Sequence, residues 1–110
     1  MSKDNNMCSG DMSMFILKLL ERKDMYGYEM IETLRLRSNN VFQFKAGTLY
    51  PLLHTLVKNA FLTTYDNEMN GKIRKYYSIT PQGIKLLKDK TNSWKEYVKI
   101  TSEILEFAEV

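Results

Sequence analysis

The chain has little of what catalytic and metal sites are built from. It holds one histidine, His54, and one cysteine, Cys8. A lone cysteine cannot close an internal disulfide, and no Cys or His lies near it to complete a metal-binding pattern. Cys8 reads as a bystander thiol in a mobile N-terminus. Carboxylates do not cluster and no phosphate-cradling glycine loop is present, so nothing assembles a nucleophile with a base. Neither an enzyme nor a cofactor nor a metal is expected. No apolar run reaches the ~18 residues of a membrane span, and Met1 to Gly10 is polar, without a signal-peptide core. The expectation is a cytoplasmic protein with no membrane partner.

Charge of one sign is also scarce, with a formal net charge of +3. Its placement is uneven. Residues 1–39 and residues 81–110 each balance Lys/Arg against Asp/Glu. All of the excess falls in residues 40–80, where Lys45, Lys58, Lys72, Arg74 and Lys75 face only Asp66 and Glu68. A basic middle between neutral ends implies a localised anionic partner. A hydrophobic content of 44% is enough for one folded domain of 110 residues.

The apolar spacing then sets the elements. Ser9 or Asp11 can cap a first helix carrying Met12, Phe15, Ile16, Leu19 and Leu20. Gly27 interrupts the chain before a second helix with Met30, Ile31 and Leu34, which ends at Ser38-Asn39-Asn40. Leu49, Leu52, Leu53, Leu56 and Val57 mark one face of a third helix. Thr48 as N-cap would place Pro51 in its first turn, whereas a start nearer Lys45 leaves Gly47 to absorb strain. Asn59 is expected to end this helix in left-handed geometry. Phe61 to Asp66 and Ile73 to Ile79 read as strands joined by Asn67 to Lys72, a hairpin with a basic tip. Thr80-Pro81 gives a hydroxyl cap and a proline at the first position of a last helix reaching about Ala108.

That last helix has a seam. Ile84, Leu87, Thr91, Trp94, Val98, Thr101, Leu105 and Ala108 step by three and four in alternation, the a/d pattern of a coiled coil. Tyr97, Ile100, Ile104 and Phe107 widen it. So much apolar surface calls for a partner, and the expected partner is a second copy of the chain. The dimer interface is placed at Ile84, Leu87, Trp94, Val98, Thr101, Leu105 and Ala108.

Three helices followed by a hairpin is the order of a winged helix-turn-helix, in which the third helix enters the major groove and the hairpin, or wing, lies over the backbone. The expected fold is mainly α with a small β-hairpin: residues 1–80 form the DNA-binding unit and residues 81–110 a dimerisation helix. Thr48, Tyr50, His54, Thr55 and Lys58 then fall near the outer side of the third helix. Lys72, Arg74 and Lys75 in the wing can displace counterions from phosphates.

Tyr26-Gly27-Tyr28-Glu29-Met30, Gly47-Thr48-Leu49-Tyr50-Pro51-Leu52-Leu53, the run from Gly71 to Thr80 and Gly83 together resemble the PadR family of bacterial transcriptional regulators, in its compact subfamily with a single helix after the wing. The resemblance covers roughly Met12 to Leu105. It implies a homodimeric repressor of a palindromic operator in double-stranded DNA. It also implies that Thr48, Tyr50 and His54 fall on the DNA side of the third helix and that Tyr28, Lys72, Arg74 and Lys75 approach phosphates. Lys58 on the same helix face, and Lys45, which can itself reach a phosphate, complete the expected DNA-binding set. Tyr28 and Tyr50 can equally be half-buried packing residues. In multidrug-sensing relatives a tryptophan at the place of Trp94 stacks on flat aromatic compounds. Here Trp94, with Met12 and Phe15 nearby, either holds a small planar aromatic ligand or only packs. The chain departs from the family at Lys45, where a small capping residue is frequent. It departs also at Ala60, where glycine is usual and Asn59 is expected to take over the left-handed turn, and at Ile73, often basic. The rival reading is a winged-helix module that binds protein and not DNA.

Overall fold

The computed structural model describes the backbone of residues 2–107 and the side chains of residues 12–107. The seam residue Ala108 lies outside the described residues, and so do the side chains of Cys8, Ser9 and Asp11. Among the described residues the order is α1 (Ser2–Arg22), β1 (Met25–Tyr26), α2 (Gly27–Arg37), α3 (Ala46–Lys58), β2 (Leu62–Met69), β3 (Lys72–Ile79) and α4 (Pro81–Phe107). This is the expected arrangement, mainly helical with a hairpin and a C-terminal helix. None of these helices is long and apolar enough to cross a membrane.

Each of the first three helices turns one apolar face to a common centre. Ile16, Leu17 and Leu20 of α1, Met30 and Leu34 of α2, and Leu49, Leu53 and Leu56 of α3 meet there. Phe44 and the sheet residues Met25, Leu62 and Tyr77 close the core. α1 starts at Ser2 rather than at a Ser9 or Asp11 cap. No proline stops it, and Gly10 costs only about 1 kcal/mol in a helix whose later turns are packed.

α3 starts at the earlier of its two candidate positions. Lys45 is the N-cap and makes no side-chain cap bond. Pro51 therefore lies inside the helix, with the carbonyl of Gly47 one turn back. Gly47 is exposed, its φ is not positive and a Cβ there would meet open space, so the structure makes no demand for glycine at this position. At its far end the helix corrects a second expectation. Asn59 sits at φ −92° and it is Ala60 that takes the left-handed turn, at φ 67°. The Phe61 amide donates to the Leu56 carbonyl (2.9 Å) and the Ala60 amide to the Val57 carbonyl (3.0 Å). These two bonds make a Schellman cap, which demands the left-handed residue one place after the C-cap.

The wing strands outrun their expected ends. Residues Asn67 to Met69 and Lys72, read as loop, pair in the ladder, leaving a two-residue turn at Asn70 and Gly71 with φ 54° and 79°. Two positive φ values suit a primed turn, whose twist matches that of the strands. β1 was not expected. Met25 and Tyr26 pair antiparallel with Tyr77 and Tyr76, giving a three-stranded sheet of order β1-β3-β2.

α4 leaves the body from a fixed point. The Gly83 amide donates to Thr80 Oγ1 (3.0 Å), which itself donates to the Ala60 carbonyl (2.7 Å). The Thr80 amide donates to the Phe61 carbonyl (3.1 Å). A Cβ on Gly83 would overlap that same Phe61 carbonyl oxygen. Thr80 and Pro81 start α4 as their sequence signal predicts, and Thr80 also bolts that start to the end of α3. Leu87 is 5% exposed and belongs to the core of its own chain, so it leaves the set of residues open to a second copy. Beyond it Trp94, Val98 and Leu105 are exposed, as are Tyr97, Ile100, Ile104 and Phe107 of the second row.

Candidate nucleic-acid interface

The apolar stripe of α3 faces the core, so its opposite side faces solvent. Thr48, Tyr50, His54 and Lys58 are all exposed, and Lys45 is exposed at the N-cap. The Thr55 hydroxyl donates back to the Pro51 carbonyl (3.1 Å), so that polar group is already engaged. The first turn of α3 holds no acidic residue. Its free amides and the Lys45 ammonium leave that end positive and suited to an anion.

Tyr50 leaves α3 sideways. Its phenol lies against Gly27 at the start of α2, where any Cβ would overlap the ring. Gly27 is buried for that reason, while Tyr50 stays 45% exposed. Tyr50 thus joins both readings, packing with one face and open with the other. Tyr28, one residue further on, is 57% exposed. Between these two tyrosines and the wing runs an open groove of about 460 Å³, lined by Tyr26, Gly27, Tyr28, Tyr50, Arg74, Lys75 and Tyr77. Four of the expected site residues line this groove. Lys72 lies beyond it at the wing tip; Lys45, Thr48, His54 and Lys58 lie along α3.

On the outer face of the sheet, sequence reasoning missed a built cluster. Tyr26 meets Tyr76 edge-on (5.4 Å between centroids), and Tyr76 stacks on Tyr65 (5.7 Å). The Tyr65 hydroxyl donates to Asp24 Oδ2 at 2.6 Å. That carboxylate pushes the Tyr65 phenol up to about 12. The Arg74 guanidinium sits 4.4 Å from the centre of the Tyr26 ring. Alternation along β3 puts Arg74 and Tyr76 on this face and Tyr77 on the inner one, so both tyrosines are buried, each on its own side. Burial raises the Tyr77 phenol, with the nearby Tyr50 adding to it. Lys23 pairs with Glu29 at 2.8 Å beside the start of α2 and is held above the usual lysine range by that bond.

An aromatic and cationic strip thus extends across a helix-and-wing body. Residues 16–89 match the Transcriptional regulator PadR-like family. The chain belongs to the PadR family. A solved transcriptional regulator from Clostridium thermocellum is similar, at 35% identity and a TM-score of 0.83, over 89% of this chain and 96% of that one. A PadR family regulator from Eggerthella lenta DSM 2243 is 28% identical with a TM-score of 0.80, over 96% of this chain and 90% of the other. A protein of Lysinibacillus sphaericus named uncharacterized protein X is 34% identical over 103 residues, 93% of this chain and 94% of that protein. As a PadR-type protein, the chain is a transcriptional regulator and not an enzyme.

The expected ligand residues of this PadR chain have different surroundings. Trp94 is 42% exposed and stacks on Tyr97 of its own helix, 5.8 Å between centroids. Phe15 packs on Phe42 (5.0 Å) and borders a groove of about 230 Å³ that neither Trp94 nor Met12 lines. Met12 lies at the margin of the core.

Proposed function

We propose that the protein is a homodimeric repressor that binds a palindromic duplex in the cytoplasm. Residues 1–80 read the DNA and α4 holds two readers at a fixed spacing. The observation that carries this reading is the groove: Tyr28, Tyr50, Arg74 and Lys75 line one strip continuous with the open face of α3. α3 lies in the major groove, where Thr48, Tyr50 and His54 reach base edges. Lys45, Lys58, Tyr28 and the wing cations meet phosphates.

The dimer rests on α4. Trp94, Val98 and Leu105, with Thr101, form one row, and Tyr97, Ile100, Ile104 and Phe107 form a second beside it. In the lone chain these apolar side chains are 40–78% exposed. Exposure on that scale along one helix marks an interface. Two copies bring Trp94 to the seam from both sides. The pair then packs ring on ring or holds a planar aromatic ligand between the rings, and quenching of Trp94 emission by such a compound separates the two. A ligand seated there shifts the angle between the subunits and moves the second α3 off its half-site.

Selection of bound duplexes from a random library tests the reading, together with sedimentation of the free protein. The expected outcome is a dimer and a two-fold symmetric consensus with half-sites about one helical turn apart. With about five phosphate contacts per dimer, the log–log dependence of affinity on salt has a slope near −4 to −5. Replacing Lys72, Arg74 and Lys75 together by Ala weakens binding with little change of consensus. A dimer that retains no duplex at about 50 mM salt would replace this reading with the protein-binding module.

A further inference from the structure

The three wing cations differ in one respect that their spacing conceals: only Arg74 has a built seat. We infer that Tyr26 is a positioning residue, whose ring holds the Arg74 guanidinium so that its N–H edge is presented to a DNA phosphate beside the groove. This rests on the DNA-binding reading and assigns within it which wing side chain is set before DNA arrives, and by what.

The seat is cross-strand. Tyr26 pairs with Tyr76, and Arg74 is two residues before Tyr76 on the same face of β3, so Arg74 lies diagonally across from Tyr26. Its guanidinium reaches the ring at 4.4 Å. A guanidinium laid on a ring uses its flat face, and its in-plane donors stay free to fork two oxygens of one phosphate. Among the described residues no carboxylate forms an ion pair with Arg74, and its cross-strand neighbour is the neutral Asn67. The side chain is half-buried, in contrast to the exposed Lys72 and Lys75. It has therefore already lost rotamer freedom that each lysine still has to lose on binding.

The ring that seats it is itself held. Tyr26 stands edge-on to Tyr76, which is covered by Tyr65, and the Tyr65 hydroxyl reaches over the sheet to Asp24 on the β1 side. This latch ties β2 to the residue just before β1, across the intervening strand β3. The aromatic ladder fixes the wing root and the start of α2 as one piece, so Arg74 keeps a constant bearing relative to Tyr28 and Tyr50 across the groove.

The experiment is a double-mutant cycle of duplex affinity on the full chain, with Tyr26→Phe, Tyr26→Leu, Arg74→Gln and the pair Tyr26→Leu/Arg74→Gln. Tyr26→Phe keeps the ring and is expected to bind as the parent does. Tyr26→Leu is expected to lose about three- to fivefold per subunit, hence about tenfold or more for a dimer using two wings. In the Arg74→Gln background the same change is expected to cost nothing, and both Arg74→Gln proteins show a shallower salt slope than the parent. An equal Tyr26→Leu loss in both backgrounds, or no loss in either, overturns the inference while leaving DNA binding intact. A parent that binds no duplex sinks the DNA reading and this inference with it. Should Tyr26→Leu fail to fold, Arg74→Lys serves instead, since it keeps the charge and loses the flat face. It is expected to bind several-fold more weakly at an unchanged salt slope, and parental affinity would overturn the seat.

Discussion

Among the described residues Ala60 is the one at positive φ that is neither glycine nor asparagine, and relieving it should stabilise the protein. An alanine at φ 67° places its Cβ against the following carbonyl, at a cost of about 1–2 kcal/mol relative to right-handed geometry. Glycine avoids that cost but loses more freedom on folding, about 0.4–1 kcal/mol. The Ala60 methyl is exposed, so little burial is forfeited, and the bonds the residue makes to Val57 and Thr80 use only its backbone. The balance for Ala60→Gly is a gain of about 0.7 kcal/mol, or a rise of about 3–5 °C in Tm for a domain of this size. Urea unfolding at one fixed chain concentration measures it, since the proposed dimer would make the midpoint depend on concentration. The midpoint should rise by about 0.3–0.7 M with the slope m unchanged. Asn59→Gly is the control. Asn59 has φ −92°, so glycine there relieves nothing and should lower stability slightly. A stabilising Asn59→Gly, or an Ala60→Gly no more stable than the parent, would refute the left-handed assignment and the Schellman geometry with it.

Other sites test the same joint and the outer ladder. Gly83→Ala drives a Cβ into the Phe61 carbonyl oxygen, a backbone atom that cannot swing aside, and should cost about 2–3 kcal/mol in the same unfolding assay. Thr80→Val loses both the cap bond to Gly83 and the bond to Ala60 and should cost about 1–2 kcal/mol, with Thr80→Ser restoring most of it. The Tyr65 phenol should ionise near 12, and Asp24→Asn should bring it down toward the ordinary tyrosine value near 10 in a phenolate-absorbance titration. Because its folded-state pKa is raised, the stability this contact adds is fully present below about pH 10 and is lost as pH rises toward 12.

Most of the fold was legible because it is written in short-range signals. Thr80-Pro81 specifies its helix start through a hydroxyl and a fixed φ, and the structure uses both. The third-helix stripe fixed the buried face whichever residue served as N-cap. β1 escaped notice because two residues carry no periodicity, and Met25-Tyr26 is a strand only because Tyr76 and Tyr77 lie beside it. The left-handed turn was assigned to Asn59 on residue preference. The two Schellman bonds decided otherwise, since the position one beyond the C-cap must turn left whatever residue stands there. Leu87 fits the seam pattern as well as Val98 does. Spacing cannot tell a side chain that faces its own core from one that faces a second copy, and only the packing of α4 on α1 separates them.

The wing shows the same limit in its charges, and there it decides an energetic order. Counted along the chain, Lys72, Arg74 and Lys75 are three equal cations. Register makes them unequal: Lys75 lies across from Asp66, Arg74 from Asn67 and Lys72 from Met69. An opposite charge directly across a strand pair draws on the lysine's field, so Lys75 offers a phosphate less than its formal charge. Lys72 keeps its full charge but stands exposed at the tip, with four rotatable bonds to order. Arg74 has neither handicap. Single Ala variants should therefore weaken duplex binding in the order Arg74, then Lys72, then Lys75. Asp66→Asn should strengthen binding by about two- to fivefold at low salt, an effect that fades as screening grows. Affinities measured at several salt concentrations would show it. Both side chains line the groove, so a Lys75→Ala loss exceeding that of Arg74→Ala would mean that the phosphate lies against Lys75 and not at the Tyr26 seat.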